Sequence, residues 1–216
     1  MIFDCDGVLV DSEEISCGIL ARRVAALGHP MTTQEVYDRY QGTSWQSTAS
    51  GLERELGRPL PPAFAADFHA EVDSELAARV EPVEGVRDVL EGLPYPCCVA
   101  SSGRHEKMAT TLGRTGLAAF FEGRIFSSTQ VERGKPAPDL FLYTASRLGV
   151  VPADCVVVED SVAGVTAARS AGMIALGYAG RTDPKRLRAA GATTFPAMVA
   201  LPALLAAAGR AIDVRA

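Results

Sequence analysis

Two hydrophobic rhythms divide the chain. From Glu13 to Leu27 the apolar residues Ile15, Ile19, Leu20, Val24 and Leu27 recur at the spacing of a helix face, and the stretch stops at Gly28, His29 and Pro30. Thr32 and Glu35 have the spacing of a capping box, and further helices are predicted over Thr33–Tyr40, Ser44–Leu56 and Pro62–Arg79. From Pro82 onward short apolar runs alternate with helical stretches: CCVAS (97–101), RIFSS (124–128), CVVVE (155–159) and MIALG (173–177). The β-branched CVVVE run predicts a strand covered on both faces, near the centre of a parallel sheet. The expected fold is therefore α/β, a doubly wound, Rossmann-like parallel sheet formed by residues 1–11 and 82–216. An all-helical cap, residues 12–81, is inserted after the first strand. Such sheets bind ligands beyond the carboxyl ends of their strands.

Composition narrows the partners. A formal net charge of −5 argues against binding nucleic acid, which needs a clustered basic face. The C-terminal run MVALPALLAAA is interrupted by Pro202 and is too short to span a bilayer, so no membrane segment is expected. No export signal is recognisable, and a cytoplasmic address and a monomer are the expectations. The five cysteines lack CxxC spacing and are read as reduced, buried small hydrophobes, not as a zinc site or disulfide framework.

The candidate chemistry begins at MIFDCDG. Strand residues i and i+2 share a face, so Asp4 and Asp6 are expected to project together from the first strand's carboxyl edge, with Gly7 turning the chain away. A lone DxDG could equally cap a turn. Glu159 and Asp160, at the end of CVVVE, bring two further carboxylates to the same edge, and a shared hard cation such as Mg²⁺ would relieve their repulsion. Ser101 and Ser102, in ASSG after another strand, offer hydroxyls and helix-start amides to an anion, although a serine there is also an ordinary cap. Lys135, in RGKPAPD, is one of only three lysines, and Pro136 excludes a Walker loop.

Taken together these segments resemble the haloacid dehalogenase superfamily, in its branch with a helical cap after the first strand. FDCDGVLVDS, VASS, GKPAPD and VVVEDSVAGVTAARSAG match its four motifs in order, across essentially the whole chain. The resemblance implies Asp4 as nucleophile, becoming an aspartyl phosphate, and Asp6 as the acid/base. It implies Ser101, Ser102 and Lys135 around the phosphoryl group, and Mg²⁺ held by Asp4, Asp6 through its main-chain carbonyl, and Asp160. Glu159 is a ligand or a partner of one. The implied activity is hydrolysis of a small phosphorylated metabolite of sugar-phosphate type, similar to bacterial phosphatases including those acting on 6-phosphogluconate. Relatives usually carry more apolar residues ahead of the equivalent of Phe3, so the first strand looks clipped.

The chief rival is a mutase resembling β-phosphoglucomutase. Such mutases hold a bisphosphate with a cap histidine, tryptophan and arginine, where this chain has Ser16, Leu20 and Trp45. Gln41 and Trp45 are the candidates for contacting the leaving group, with Trp45 equally readable as cap core. A non-catalytic phosphometabolite sensor is disfavoured by Asp6, for which sensing has no use. A serine hydrolase is disfavoured because ASSG lacks the first glycine of a nucleophile elbow and only His29, His69 and His105 could serve as base.

Overall fold

The computed structural model describes residues 1–206; the tail of the expected core segment, 207–216, and the end of the C-terminal apolar run lie outside the described residues. Six parallel strands form one sheet in the order β3-β2-β1-β4-β5-β6. They are β1 (Ile2–Phe3), β2 (Cys98–Ser101), β3 (Ile125–Ser127), β4 (Val156–Glu159), β5 (Ile174–Tyr178) and β6 (Thr193–Phe195). The CVVVE run is β4, paired with β1 at the centre as its β-branched character requires. β1 has only two residues, yet Asp4 N–H continues its ladder by donating to Val158 O (3.0 Å). The edge strand β6 has no counterpart in the hydrophobic pattern, because three residues with two threonines do not make a periodic signal.

Four helices make up the insert after β1: α1 (Glu13–Ala26), α2 (Thr33–Tyr40), α3 (Trp45–Leu56) and α4 (Phe64–Arg79). The Thr32 capping box is present, with Glu35 N–H donating to Thr32 Oγ1 (3.1 Å) and Thr32 N–H donating to the Glu35 carboxylate (2.7 Å). The remaining helices, α5 (Val86–Gly92), α6 (His105–Arg114), α7 (Asp139–Leu148), α8 (Val162–Ser170) and α9 (Pro184–Ala189), interleave with the strands. Strand residues alternate between two apolar clusters. Phe3, Val99 and Val158 face the one that continues into the helical insert, whereas Ile2, Cys98 and Val157 face the one beneath α7 and α8. The five cysteines are unbonded, four of them buried. No helix among the described residues is long and apolar enough to cross a membrane.

Two features position the site. Strand order reverses between β1 and β4, and the carboxyl ends of these strands deliver Asp4, Asp6, Glu159 and Asp160 to one place. The chain enters and leaves the helical insert side by side, with Asp11 N–H donating to Glu81 O (2.9 Å) and Val83 N–H donating to Leu9 O (3.0 Å). The insert is closed down on the sheet edge: Ser102 Oγ donates to Gly42 O (2.8 Å), Tyr37 Oη meets Thr182 Oγ1 (3.0 Å), and Arg104 pairs with Asp73 (2.8 Å).

Candidate active site

Lys135 is the hub. It is fully buried, and its Nζ donates to Asp4 Oδ1 (2.6 Å), Glu159 Oε1 (2.6 Å) and Ala100 O (3.0 Å), using all three of its N–H bonds. Burial opposes its charge, but Asp4 and Glu159 outweigh burial and hold the ammonium above the ordinary lysine range. The second Glu159 oxygen accepts from Ser161 N–H (3.1 Å) and Ser161 Oγ (2.8 Å), so this carboxylate is saturated by protein donors. The Asp160 carboxylate accepts from Gln41 Nε2 (2.8 Å). Among the described residues, Asp4 Oδ2 and Asp160 Oδ1 have no protein donor.

Charge is out of balance here. Ligand atoms of Asp4, Glu159 and Asp160 lie within 4.8 Å of one another, all buried, and Lys135 offsets one of three negative charges. The surplus is felt by the carboxyls: burial, then Glu159, push Asp160 well above the carboxylate range, and burial raises Asp4 likewise despite Lys135. An all-oxygen, doubly anionic pocket fits a hard divalent cation and lacks the nitrogen or sulfur donors of a zinc site.

Two glycines make the convergence possible. Gly7 turns with φ +77°, and a Cβ there would overlap the Asp160 carboxylate; a Cβ on Gly164 would overlap that of Glu159. Alanine for glycine inside a helix ordinarily stabilises by roughly 1 kcal/mol. Gly164→Ala is expected to do the reverse, lowering the melting temperature and cutting turnover about tenfold or more as Glu159 releases Lys135. A thermal melt at or above wild type would show that Glu159 has room to move.

Asp6 stands apart from this cluster. Its Oδ1 meets Lys107 Nζ at 2.7 Å and accepts a short hydrogen bond from Ser12 Oγ. Burial would raise this carboxyl, but Lys107 and Ser12 outweigh it and hold Asp6 below its usual range. Ser12 stands at the N-cap position of α1 without capping it, because its hydroxyl is turned to Asp6. Neither residue was singled out from the sequence; the scarcity of lysine is the signal that points to Lys107.

Above Asp4 and Asp6 a cavity of ≈ 140 Å³ separates the sheet edge from the helical insert. Ser101, Ser102 and Trp45 reach it, whereas Lys135, Glu159 and Asp160 lie behind it. Ser101 is buried and accepts from Gly103 N–H (3.0 Å). Trp45 stacks on Phe68 (centroids 5.0 Å, 20° between planes) and meets His69 edge-on (4.9 Å), so it is at once part of the insert's core and a wall of the cavity. Gln41 does not line the cavity. Its amide joins Asp160 to Thr182 and Tyr37, tying α2 to the carboxylates. Arg104, His69 and Glu13 line the space too and were not anticipated as site residues. Burial first, then the charge of Arg104, lowers His69 below the usual imidazole range. Burial and the neighbouring Asp6 push Glu13 up to about 7.

The chain is similar to known proteins over most of its length. A chain described as 6-phosphogluconate phosphatase from Escherichia coli K12 is 30% identical over 210 residues, spanning 97% of this chain and 95% of the relative. A fructose-1-phosphate phosphatase from the same organism is 31% identical over 178 residues, covering 82% of this chain and 94% of its own. Among solved structures, a haloacid dehalogenase-like protein of unknown function from Agrobacterium tumefaciens superposes with a TM-score of 0.83 at 36% identity. That match covers 96% of this chain and 97% of the other. The family model for haloacid dehalogenase-like hydrolases matches residues 1–177, from Asp4 through Lys135 to Asp160 and beyond, and the chain belongs to that family.

Proposed function

We propose that this protein is a Mg²⁺-dependent phosphatase that hydrolyses a small phosphorylated metabolite of sugar-phosphate type through an aspartyl phosphate on Asp4. The observation that carries the reading is the buried Asp4–Lys135–Glu159 chain beside Asp160, two charges short of neutrality, beneath a cavity roofed by the helical insert. The names of the relatives, phosphatases of 6-phosphogluconate and fructose 1-phosphate, support the substrate class. We assign the helical insert, residues 12–81, to selecting the substrate and residues 1–11 and 82–216 to the chemistry.

Asp4, oriented by Lys135, attacks phosphorus with its donor-free Oδ2 as the bond to the leaving oxygen breaks. Asp6 gives that oxygen a proton, then takes one from the water that cleaves the acyl phosphate and regenerates Asp4. Lys107 and Ser12 fix the Asp6 carboxyl and favour its base form, so they assist the second half-reaction more than the first. Ser101 and the amides of the β2–α6 turn cradle the phosphoryl oxygens. For Lys135 to join them, one of its three present hydrogen bonds must be exchanged. Asp4, Asp160 and the Asp6 carbonyl would hold Mg²⁺, with Glu159 acting through Lys135 and Ser161. Bound there, the cation supplies positive charge that offsets the repulsion between Asp4 and the phosphoryl group.

Hydrolysis is favoured over mutase transfer because the cavity holds no spare cation among the described residues. Arg104 is paired with Asp73, Lys107 with Asp6, and His69 is biased to its neutral form. The test is phosphate release from a panel of phosphorylated metabolites, together with β-glucose 1-phosphate plus a catalytic amount of the 1,6-bisphosphate. Glucose 6-phosphate accumulating faster than phosphate would establish the mutase instead. EDTA is expected to abolish release and Mg²⁺ to restore it, with Ca²⁺ a poor substitute because of its larger, looser shell. Asp160→Asn is expected to melt higher than wild type without metal, one buried charge having been removed, and to lose the rise in melting temperature that Mg²⁺ gives the wild type.

A further inference from the structure

Residues 13, 16, 17 and 20 of α1 form a single face turned to the cavity. Two of them are polar and poorly satisfied. Glu13 is buried, and its hydrogen-bond partner among the described residues is the Cys17 thiol at 3.5 Å, a weak donor. Ser16 Oγ is buried with no partner among the described residues. Folded proteins leave few buried polar atoms unpaired, because each forfeits its hydration for nothing. Here an unpaired hydroxyl and a weakly paired carboxylate, one helical turn apart, border the same space. That space adjoins Asp6, which in the proposed reaction protonates the leaving oxygen.

We propose that Glu13 and Ser16 form a subsite that reads hydroxyl groups on the leaving group, selecting a neutral, polyhydroxylated alcohol. This inference rests on the phosphatase reading. A carboxylate accepts O–H donors, and a serine hydroxyl donates or accepts, so adjacent hydroxyls on one carbon chain satisfy both at once. A second phosphate or a carboxylate on the substrate would find no spare cation at this wall, where Lys107 is paired with Asp6 and Arg104 with Asp73. Trp45, stacked on Phe68, lines the same cavity and offers apolar surface for the carbon backbone of such an alcohol.

The matched pair sorbitol 6-phosphate and n-hexyl phosphate, which differ in hydroxyl groups at constant chain length, tests it. Wild type is expected to prefer the sorbitol ester. Glu13→Gln and Ser16→Ala are each expected to lower kcat/KM for sorbitol 6-phosphate about tenfold or more, and at least five times more than for the hexyl ester. Ser16→Thr, which keeps the hydroxyl, is expected to recover most of the loss. Equal losses on both esters, or none on either, would overturn the subsite. The same comparison made by calorimetry on Asp4→Asn protein separates this inference from the reaction on which it rests. Wild type inert on every ester overturns the phosphatase reading, whereas equal or undetectable affinity for the two compounds overturns the subsite.

Discussion

Asp4→Asn is expected to reduce phosphate release by a factor on the order of 10⁴ or more while leaving the fold intact and, without metal, no less stable than wild type. The amide keeps the shape of the carboxyl but cannot form an acyl phosphate. Its effect on stability follows from the charge surplus, because burial and Glu159 already press Asp4 toward its neutral form and an uncharged side chain relieves that pressure. Activity and melting temperature therefore move independently, which a simple loss of structure would not produce. Phosphate release by freshly purified protein, read beside a thermal melt, checks both. Near-normal turnover would remove Asp4 as the nucleophile.

Lys135→Met should behave in the opposite way on stability while also abolishing turnover. Lys135 is the cation that Asp4 and Glu159 share, and it is fully buried. Removing one partner from a buried ion pair costs about 3–5 kcal/mol, and in a protein of this size each kcal/mol lowers the melting temperature by roughly 2–4 °C. A drop of about 10 °C or more is expected, with partial recovery in Mg²⁺. Lys135→Arg is not expected to rescue activity, since the ammonium is enclosed by three acceptors and by the Phe141 ring 5.0 Å away, leaving no room for a planar fork. A Lys135→Met melt within about 2 °C of wild type would mean that other groups balance the carboxylates.

Much of this site was legible because its motifs are local. DCD, ED and KP each sit within a few residues of a strand end or helix start, so α/β grammar alone brings them to one edge. The sequence did not disclose which charge answers which. Glu159 read as one of four converging carboxylates, yet Lys135 and Ser161 saturate it. Asp6 read as part of the same cluster, but Lys107, on the far side of the β2–α6 turn, draws it away. Gln41 read as a contact for substrate, and its amide instead binds Asp160 and Thr182. Each of these depends on how the helical insert seats against the sheet. That is a matter of side-chain packing between segments far apart in the chain, on which periodicity is silent. Ser16 shows the point most directly: it read as the absence of a mutase histidine, whereas the packed structure makes it an unpaired hydroxyl facing the cavity.

The paired crossings at the base of the insert bear on how the chain folds. Met1 and Cys98 are neighbours in the sheet although 97 residues separate them, and closing so long a loop directly is entropically slow. Within the insert α1 packs on α2 and α4, contacts closer in sequence than the pairing of β1 with β2 and therefore expected to form ahead of it. Once they have formed, residues 9–11 lie beside 81–83, held by the bonds from Asp11 to Glu81 and from Val83 to Leu9. The stretch still to be closed between β1 and β2 is then only about 25 residues, which lowers the loop-closure cost by about 1 kcal/mol. The insert that roofs the cavity thus acts, earlier in the life of the chain, as a clip that brings the nucleophile's strand within reach of its neighbour.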